Sequence, residues 1–348
     1  MELLFITAVS AFLFAYLSIK VLKPVAVEFG LVDKPNARKT HSGHIPLIGG
    51  ISIFIAVLFA SLIWLPNTLE LRVYLIASAM MVFIGALDDK FDISVRIRLV
   101  GQIIIASLMI YGVGGYISEL GDLFGLGNIN LGPIGIFFTY FAIVSVINAF
   151  NMVDGIDGLV GSLSLNTFSS IAVLFLISGN NSYVAYPLML ATATLPYLIF
   201  NLCVFPKQVK KIFMGDAGSM FIGLSVVWLL TMATQGEQAS FRPVTALWIC
   251  AIPLVDMLAI VIRRVKKGQS PFKPDRDHLH HIFMRVGLSD RQALFAITCV
   301  AIALSLIGIL GEYFNISEPV MFIGFLFLFL CYSYTLQHIW KVVTFFRK

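Results

Sequence analysis

Six aspartates stand where long apolar runs end: Asp88, Asp89 and Asp92 in "LDDKFD", Asp154 and Asp157 in "NMVDGIDG", and Asp216 in "FMGDAGS". A carboxylate beside so much hydrocarbon is costly unless it is paired or bound to a cation. Any one of them reads equally well as a helix cap or a surface charge. Six of them, in three loops that helices can bring together, read better as an oxygen-donor site for a hard cation. Mg²⁺ takes one or two protein carboxylates and completes its shell with water and substrate phosphate. A second cluster lies in "DRDHLHHIFMR", where Arg276, His278, His280, His281 and Arg285 follow one another closely. Its spacing is not the H-E-x-x-H of a zinc site. Histidines between arginines suit an anion, held by partial positive charge; a solvated basic loop is the competing reading. Asp256 is the only acid deep in an apolar run, which marks it as functional or as a buried hydrogen-bonded group.

The elements that must position these residues are membrane helices. Of 348 residues, 59% are hydrophobic and only 12% charged, with a mean hydropathy of +0.92; soluble domains carry about 25% charge. A crossing needs about 20 apolar residues, and unbroken apolar runs cross lipid only as helices. About eleven such runs are present, near 3–22, 47–65, 72–87, 99–116, 132–149, 158–178, 183–203, 217–234, 244–262, 291–311 and 319–337. The chain is therefore expected to be an all-α polytopic membrane protein. With no repeat and no linker, residues 1–348 read as one integral-membrane domain.

The start "MELLF" carries an acid and no base, while Lys20 and Lys23 follow the first apolar run. That is the reverse of a cleaved signal and predicts a retained helix with its N-terminus outside. Eleven crossings then leave the C-terminus inside. Of the 24 lysines and arginines only Arg72 and Arg242 fall outside, as the positive-inside rule requires. The net charge of +5 thus lies on one cytoplasmic face, where it suits membrane lipid; no nucleic-acid partner is expected. All the candidate chemistry lies on that face too, which argues against a transporter, whose sites sit near the midplane.

Smaller signals are structural. The loop "ELGDLFGLGNINLGP" suggests a hairpin, and Ser289 with Gln292 has capping-box spacing. Cys203, Cys250, Cys299 and Cys331 fall in predicted helices without C-x-x-C spacing and read as core packing. "FMGD" has Phe213 where an intramembrane aspartyl protease needs glycine, and "DGIDGLV" lacks the Ala-Arg of a CDP-alcohol phosphotransferase.

Taken together and in order, "LDDKFD", "NAFNMVDGIDGL", "FMGDAGS" and "PDRDHLHH" resemble the motifs of the polyprenyl-phosphate N-acetylhexosamine-1-phosphate transferases. "DKPNARKTHSGHIPLIGG" and "TALWICAIPLVDMLAI" extend the resemblance over nearly the whole chain. It implies a multi-pass enzyme of the bacterial inner membrane, working at the cytoplasmic face with Mg²⁺ or Mn²⁺. Such an enzyme transfers GlcNAc-1-phosphate from UDP-GlcNAc to undecaprenyl phosphate, giving GlcNAc-PP-undecaprenol and UMP for a cell-surface glycan such as O-antigen. Transfer of phospho-MurNAc-pentapeptide or GalNAc phosphate is the alternative, and a transporter a distant third; a homodimer stays open. The resemblance implies Asp216 and Asn151 as metal ligands, with Asp88, Asp89 and Asp216 catalytic. It places Phe213 on uracil, Gly155 near the nucleotide, and Asp154 and Asp157 along the nucleoside-sugar pocket. Arg276, His278, His280 and His281 would hold the diphosphate. Arg98 and Lys39 would serve the phosphates, and Asn201 would line the donor site.

Overall fold

The computed structural model describes residues 2–33, 43–206, 208–237, 239–270 and 278–338. Lys39 and Arg276 lie outside them. The rest is a helical bundle. Its helices are α1 (Glu2–Glu28), α2 (Gly49–Trp64), α3 (Leu69–Phe91), α4 (Val95–Val113), α5 (Ile134–Met152), α6 (Leu159–Ile177) and α7 (Ala185–Asn201). They continue with α8 (Gly215–Thr234), α9 (Pro243–Ile249), α10 (Ala251–Lys266), α11 (Leu279–Val286), α12 (Asp290–Tyr313) and α13 (Glu318–Gln337). Among the described residues nine helices are long and apolar enough to cross a membrane, or ten if α9 and α10 make one broken span. The protein is an all-α, multi-pass membrane protein.

Each of the eleven apolar runs is helical, but two depart from a simple crossing. With 16 residues, α2 reaches only about 24 Å at 1.5 Å per residue, short of the roughly 30 Å hydrocarbon layer. The run 244–262 is not one continuous helix: α9 and α10 meet at 85°. Pro253 has no N–H to offer the Ile249 carbonyl one turn back, so the helix breaks there. The freed carbonyl accepts instead from the Ser305 hydroxyl at 3.3 Å and the Thr167 hydroxyl at 3.5 Å, which makes the break tolerable inside a bundle.

Local signals end the helices where they should. The Thr68 side chain accepts from the Leu71 N–H to start α3, and Asp92 closes it in the left-handed conformation, φ 51°. Ser289 and Gln292 form the expected capping box on α12. The 119–133 loop does form a small hairpin, with Glu119 bridged antiparallel to Asn130. The cysteine reading holds only in part. Cys250 is buried, but Cys299 and Cys331 are exposed, on helix faces turned away from the bundle, and Cys203 sits in a turn after α7 with φ 50°.

At the centre lies α8, 94% of its membrane-length window buried against α2, α3, α5 and α6. Without a hydrophobic gain between helices in lipid, close backbone approach through small residues holds such a bundle. A methyl group added at Gly50 of α2 would stand 2.0 Å from the Cα of Gly218, and one at Gly85 of α3 would stand 2.3 Å from the Cα of Ala217. Both contacts grip the first turns of α8. Gly50→Ala should therefore cost about 1–3 kcal/mol of stability, read as a lowered thermal midpoint in detergent, and should lower activity as α8 shifts. An unchanged midpoint would contradict this packing.

Candidate active site

The N-terminus of α8 is fixed by main-chain clamps. Strand β1 (Val32–Asp33) pairs antiparallel with β2 (Ile45–Pro46), and the chain after β2 knits to the residues before α8. Phe213 N–H donates to the Pro46 carbonyl at 2.9 Å, Gly49 N–H to the Phe213 carbonyl at 2.9 Å, and Gly50 N–H to the Met214 carbonyl at 3.0 Å. Gly215 then turns with φ 73°, a conformation that a side chain disfavours. A Cβ there would also stand 2.5 Å from the Asp89 carboxylate.

The two adjacent aspartates of α3 have different duties. Asp89 accepts from the backbone N–H of Asp216 at 2.8 Å and of Ala217 at 3.1 Å. It caps α8 from another helix, satisfying orphan donors at the positive end of the dipole. Asp88 is buried and accepts from Arg98 Nη1 at 2.7 Å, and its carboxyl also meets that of Asp216. Asp92 is exposed at the C-cap of α3 and takes no part.

From the end of α5, Asn151 Nδ2 donates to Asp216 Oδ1 at 2.5 Å and to Ser219 Oγ at 2.9 Å. The turn that follows carries Asp154, which keeps some open surface yet sits in a recess. Desolvation, ahead of the charges on Asp216 and Asp157, pushes its carboxyl up to about 7. Asp157 pairs with Lys211 Nζ at 2.5 Å, and the same ammonium lies 5.1 Å from the centre of the Phe213 ring. Asn201, nearly fully buried, accepts from Gly158 N–H at 2.6 Å and donates to the Ile212 carbonyl at 2.9 Å. Its polar atoms hold the 154–158 turn to the segment before α8.

The histidine segment opens α11 and closes over this turn. A Cβ on Gly155 would stand 2.2 Å from the His280 ring, so only glycine admits the imidazole there. The rings of His278 and His280 are parallel within 2°, and that of His281 lies 4.2 Å from His280. Burial first, then His281 and His278, push His280 down to about 3. His280 is thus neutral at physiological pH and offers an N–H, not the partial positive charge expected of it.

The site therefore gathers Asp88, Asp89, Asn151, Asp154 and Asp216 around the start of α8, with Arg98 and Lys211 as nearby cations. Among the described residues no three His, Cys, Asp or Glu side chains converge as a ready metal cage. Carboxyls of Asp88 and Asp216 in contact, with Asp154 feeling the same charge, still call for a shared proton or a cation. The oxygen-rich donors suit Mg²⁺, whose shell is completed mostly by water and phosphate. Lys211 and Ser219 were not singled out from the sequence. Ser219 could have been, since it lies three residues after Asp216 on the same helix face; Lys211 is one of several basic loop residues and carries no such mark.

The raised Asp154 has a consequence for stability. The folded chain keeps a proton that the unfolded chain releases near pH 4. Its contribution favours folding at low pH and is lost as pH rises through about 7. Metal-free protein should lose thermal stability between about pH 4 and 7 and level off above that, and Asp154→Asn should flatten that slope. An equal slope in both proteins would contradict the assignment.

Comparison with known proteins places these residues in a wider set. Residues 71–234, from α3 to the end of α8, match the model of glycosyl transferase family 4. The chain is 46% identical over 338 residues to the undecaprenyl-phosphate alpha-N-acetylglucosaminyl 1-phosphate transferase of Yersinia pestis, covering 97% of this chain and 92% of that protein. The enzyme of the same name from Escherichia coli K12 is 46% identical over 344 residues, covering 98% and 93%. That of Haemophilus influenzae is 46% identical over 337 residues, covering 97% and 95%.

Proposed function

We infer the reaction from one premise: this chain belongs to glycosyl transferase family 4, with the undecaprenyl-phosphate N-acetylglucosaminyl 1-phosphate transferases. It is a sugar-1-phosphate transferase that moves GlcNAc-1-phosphate from UDP-GlcNAc to undecaprenyl phosphate, releasing UMP. The observation that carries the reading onto this chain is the meeting of Asp88, Asn151 and Asp216 at the start of the central helix, beside the Asp154 turn.

The membrane layout gives that position its use. Eleven crossings, with α9 and α10 as one broken span and α2 as a short one, put the N-terminus in the periplasm and the C-terminus in the cytoplasm. The site then opens at the cytoplasmic side of the bacterial inner membrane. There the nucleotide arrives from solution, while the lipid phosphate is held at the interface.

Diphosphate and lipid phosphate bring about four negative charges together. At 5 Å and an effective dielectric near 20, each like pair costs roughly 3 kcal/mol. Mg²⁺ or Mn²⁺, held by Asp216 and Asn151, would supply the charge neutralisation that phosphoryl transfer chiefly needs. The remaining work falls to the chain. Lys211 holds Asp157 and Phe213 together as a wall for the nucleoside, with Phe213 stacking on uracil. His278, His280 and His281 donate to the diphosphate, and Arg276 and Lys39 add charge from segments outside the described residues. Arg98, held by Asp88, meets the lipid phosphate. A phosphate monoester has a second pKa near 6 and is mostly the dianion at neutral pH, so it needs little help from a base. The acceptor oxygen attacks the phosphorus bearing GlcNAc, and the bond to the UMP oxygen breaks in the same step.

Purified protein should release UMP from UDP-GlcNAc only when both undecaprenyl phosphate and Mg²⁺ are present, with one GlcNAc-PP-undecaprenol formed per UMP. UMP release without lipid phosphate would overturn the reading. His280→Ala should raise the KM for UDP-GlcNAc by about tenfold, the range for loss of one or two buried hydrogen bonds, while leaving the KM for lipid phosphate nearly unchanged. Equal losses for both substrates would assign His280 to structure alone.

A further inference from the structure

Asp256 lies in α10 and is only 1% exposed; nothing in the reaction above uses it. Its carboxylate accepts three hydrogen bonds from two other elements. His278 Nδ1 lies 2.9 Å from Oδ2, the Leu279 N–H lies 3.1 Å from Oδ1, and the Tyr332 hydroxyl of α13 also donates to Oδ1. The Leu279 contact is a helix cap delivered from outside: His278 at the N-cap of α11 makes no side-chain cap of its own.

The contact with His278 does more than start a helix. A carboxylate facing Nδ1 selects the form that carries a proton there, since two acceptors would repel; the partner of one ring nitrogen thereby sets the state of the other. It also fixes the ring plane, which lies parallel to His280 at 5.8 Å, and His280 in turn packs on the Gly155 turn. Asp256 thus sits at the root of a row of imidazoles that ends at the nucleotide-facing loop. Groups that face His278 include Asp256 from α10 and His280 from α11, with Tyr332 of α13 reaching it through Asp256.

We propose that Asp256, braced by Tyr332, is a positioning residue for the donor site: it holds a proton on His278 Nδ1 and fixes the ring plane, so that the ring takes a second proton on Nε2 and donates from there to the diphosphate. This rests on the transferase reading for its functional part; the tautomer does not. Asp256→Asn separates orientation from structure. The amide oxygen still accepts from Leu279 and Tyr332, while its NH₂ opposes Nδ1 and keeps it unprotonated, so the ring holds one proton, on Nε2, and meets the diphosphate without charge.

The test combines kinetics with ¹⁵N-histidine NMR of the full-length protein in detergent, the His278 signals being assigned by their loss in His278→Gln. In the wild type Nδ1 should be protonated, and in Asp256→Asn it should be unprotonated, with the one proton on Nε2. The KM for UDP-GlcNAc should rise by about 10- to 100-fold, the range seen when such an outer partner is lost, with the KM for undecaprenyl phosphate unchanged. The thermal midpoint should stay within about 4 °C. Tyr332→Phe should give a smaller rise in the same KM. An unprotonated Nδ1 in the wild type overturns the proposal whatever the reaction is. A fall in thermal midpoint with equal losses for both substrates, or failure of Asp256→Asn to fold while Tyr332→Phe is kinetically silent, overturns it in favour of a structural pin. Absence of any transferase activity in the wild type, with the tautomer as expected, would fault the assigned reaction instead.

Discussion

Asp216→Asn should abolish nearly all activity, by about 10³-fold or more, and raise the Mg²⁺ concentration needed for what remains. The magnitude follows from the electrostatic term, in which loss of one preorganised charge contact costs about 10²–10³, added to weaker cation binding by a neutral amide. The substitution is sterically mild. Asn151 Nδ2 loses a charged acceptor at Asp216 Oδ1 but keeps Ser219 Oγ, and the backbone N–H of residue 216 still donates to Asp89. The fold should therefore survive, with thermal stability of the metal-free protein unchanged or increased as one of several crowded carboxylates is removed. Wild-type metal dependence in this variant would refute the role of Asp216.

Asp89→Ala is expected to act by another route and to harm both stability and activity. Two backbone donors at the start of α8 would lose their acceptor, a loss of about 0.5–2 kcal/mol for a helix cap. Asp216 lies on that same first turn, so activity should fall about 100-fold, as when reacting groups are misplaced by an ångström. Asp89→Asn keeps one amide oxygen for the cap and should recover much of both. Asp88→Ala is the contrasting variant: it releases Arg98 without touching the cap, and should chiefly raise the KM for lipid phosphate. If Asp89→Ala and Asp88→Ala behave alike, the division of labour between these neighbours is wrong.

That division shows where sequence reading stops. Apolar runs located every long apolar helix among the described residues because lipid leaves no other solution for a chain of this composition. They could not locate the break at Cys250, although Pro253 was in plain view. A proline bends a span only if something accepts the freed carbonyl, and Ser305 and Thr167 come from distant helices. The carboxylates were legible as a set, but their separate roles depend on which oxygen meets which donor. Asp88 and Asp89 are adjacent in sequence, yet the helical turn sends one to Arg98 and the other to the backbone of α8. Asp256 declared itself as an acid in an apolar run. Its partner Tyr332 is one aromatic among many, and nothing in its surroundings along the chain marks it. Asn201 lined up with a substrate-site motif, whereas the fold uses its amide to join two loops. The charge of His280 depends on burial and on two neighbouring imidazoles, neither of which a loop of histidines reveals by spacing.

The central claim is that both phosphates meet at the start of α8 and that the acceptor attacks directly. Purified enzyme, stripped of lipid phosphate, is incubated with Mg²⁺ and UDP-GlcNAc labelled in the β-phosphate, and protein, nucleotide and lipid are then counted separately. The account predicts that the label stays in UDP-GlcNAc until undecaprenyl phosphate is added, and then passes to lipid as UMP appears in equal amount. Label accumulating on the protein with stoichiometric UMP before any lipid is added, and then passing to the lipid, would contradict it.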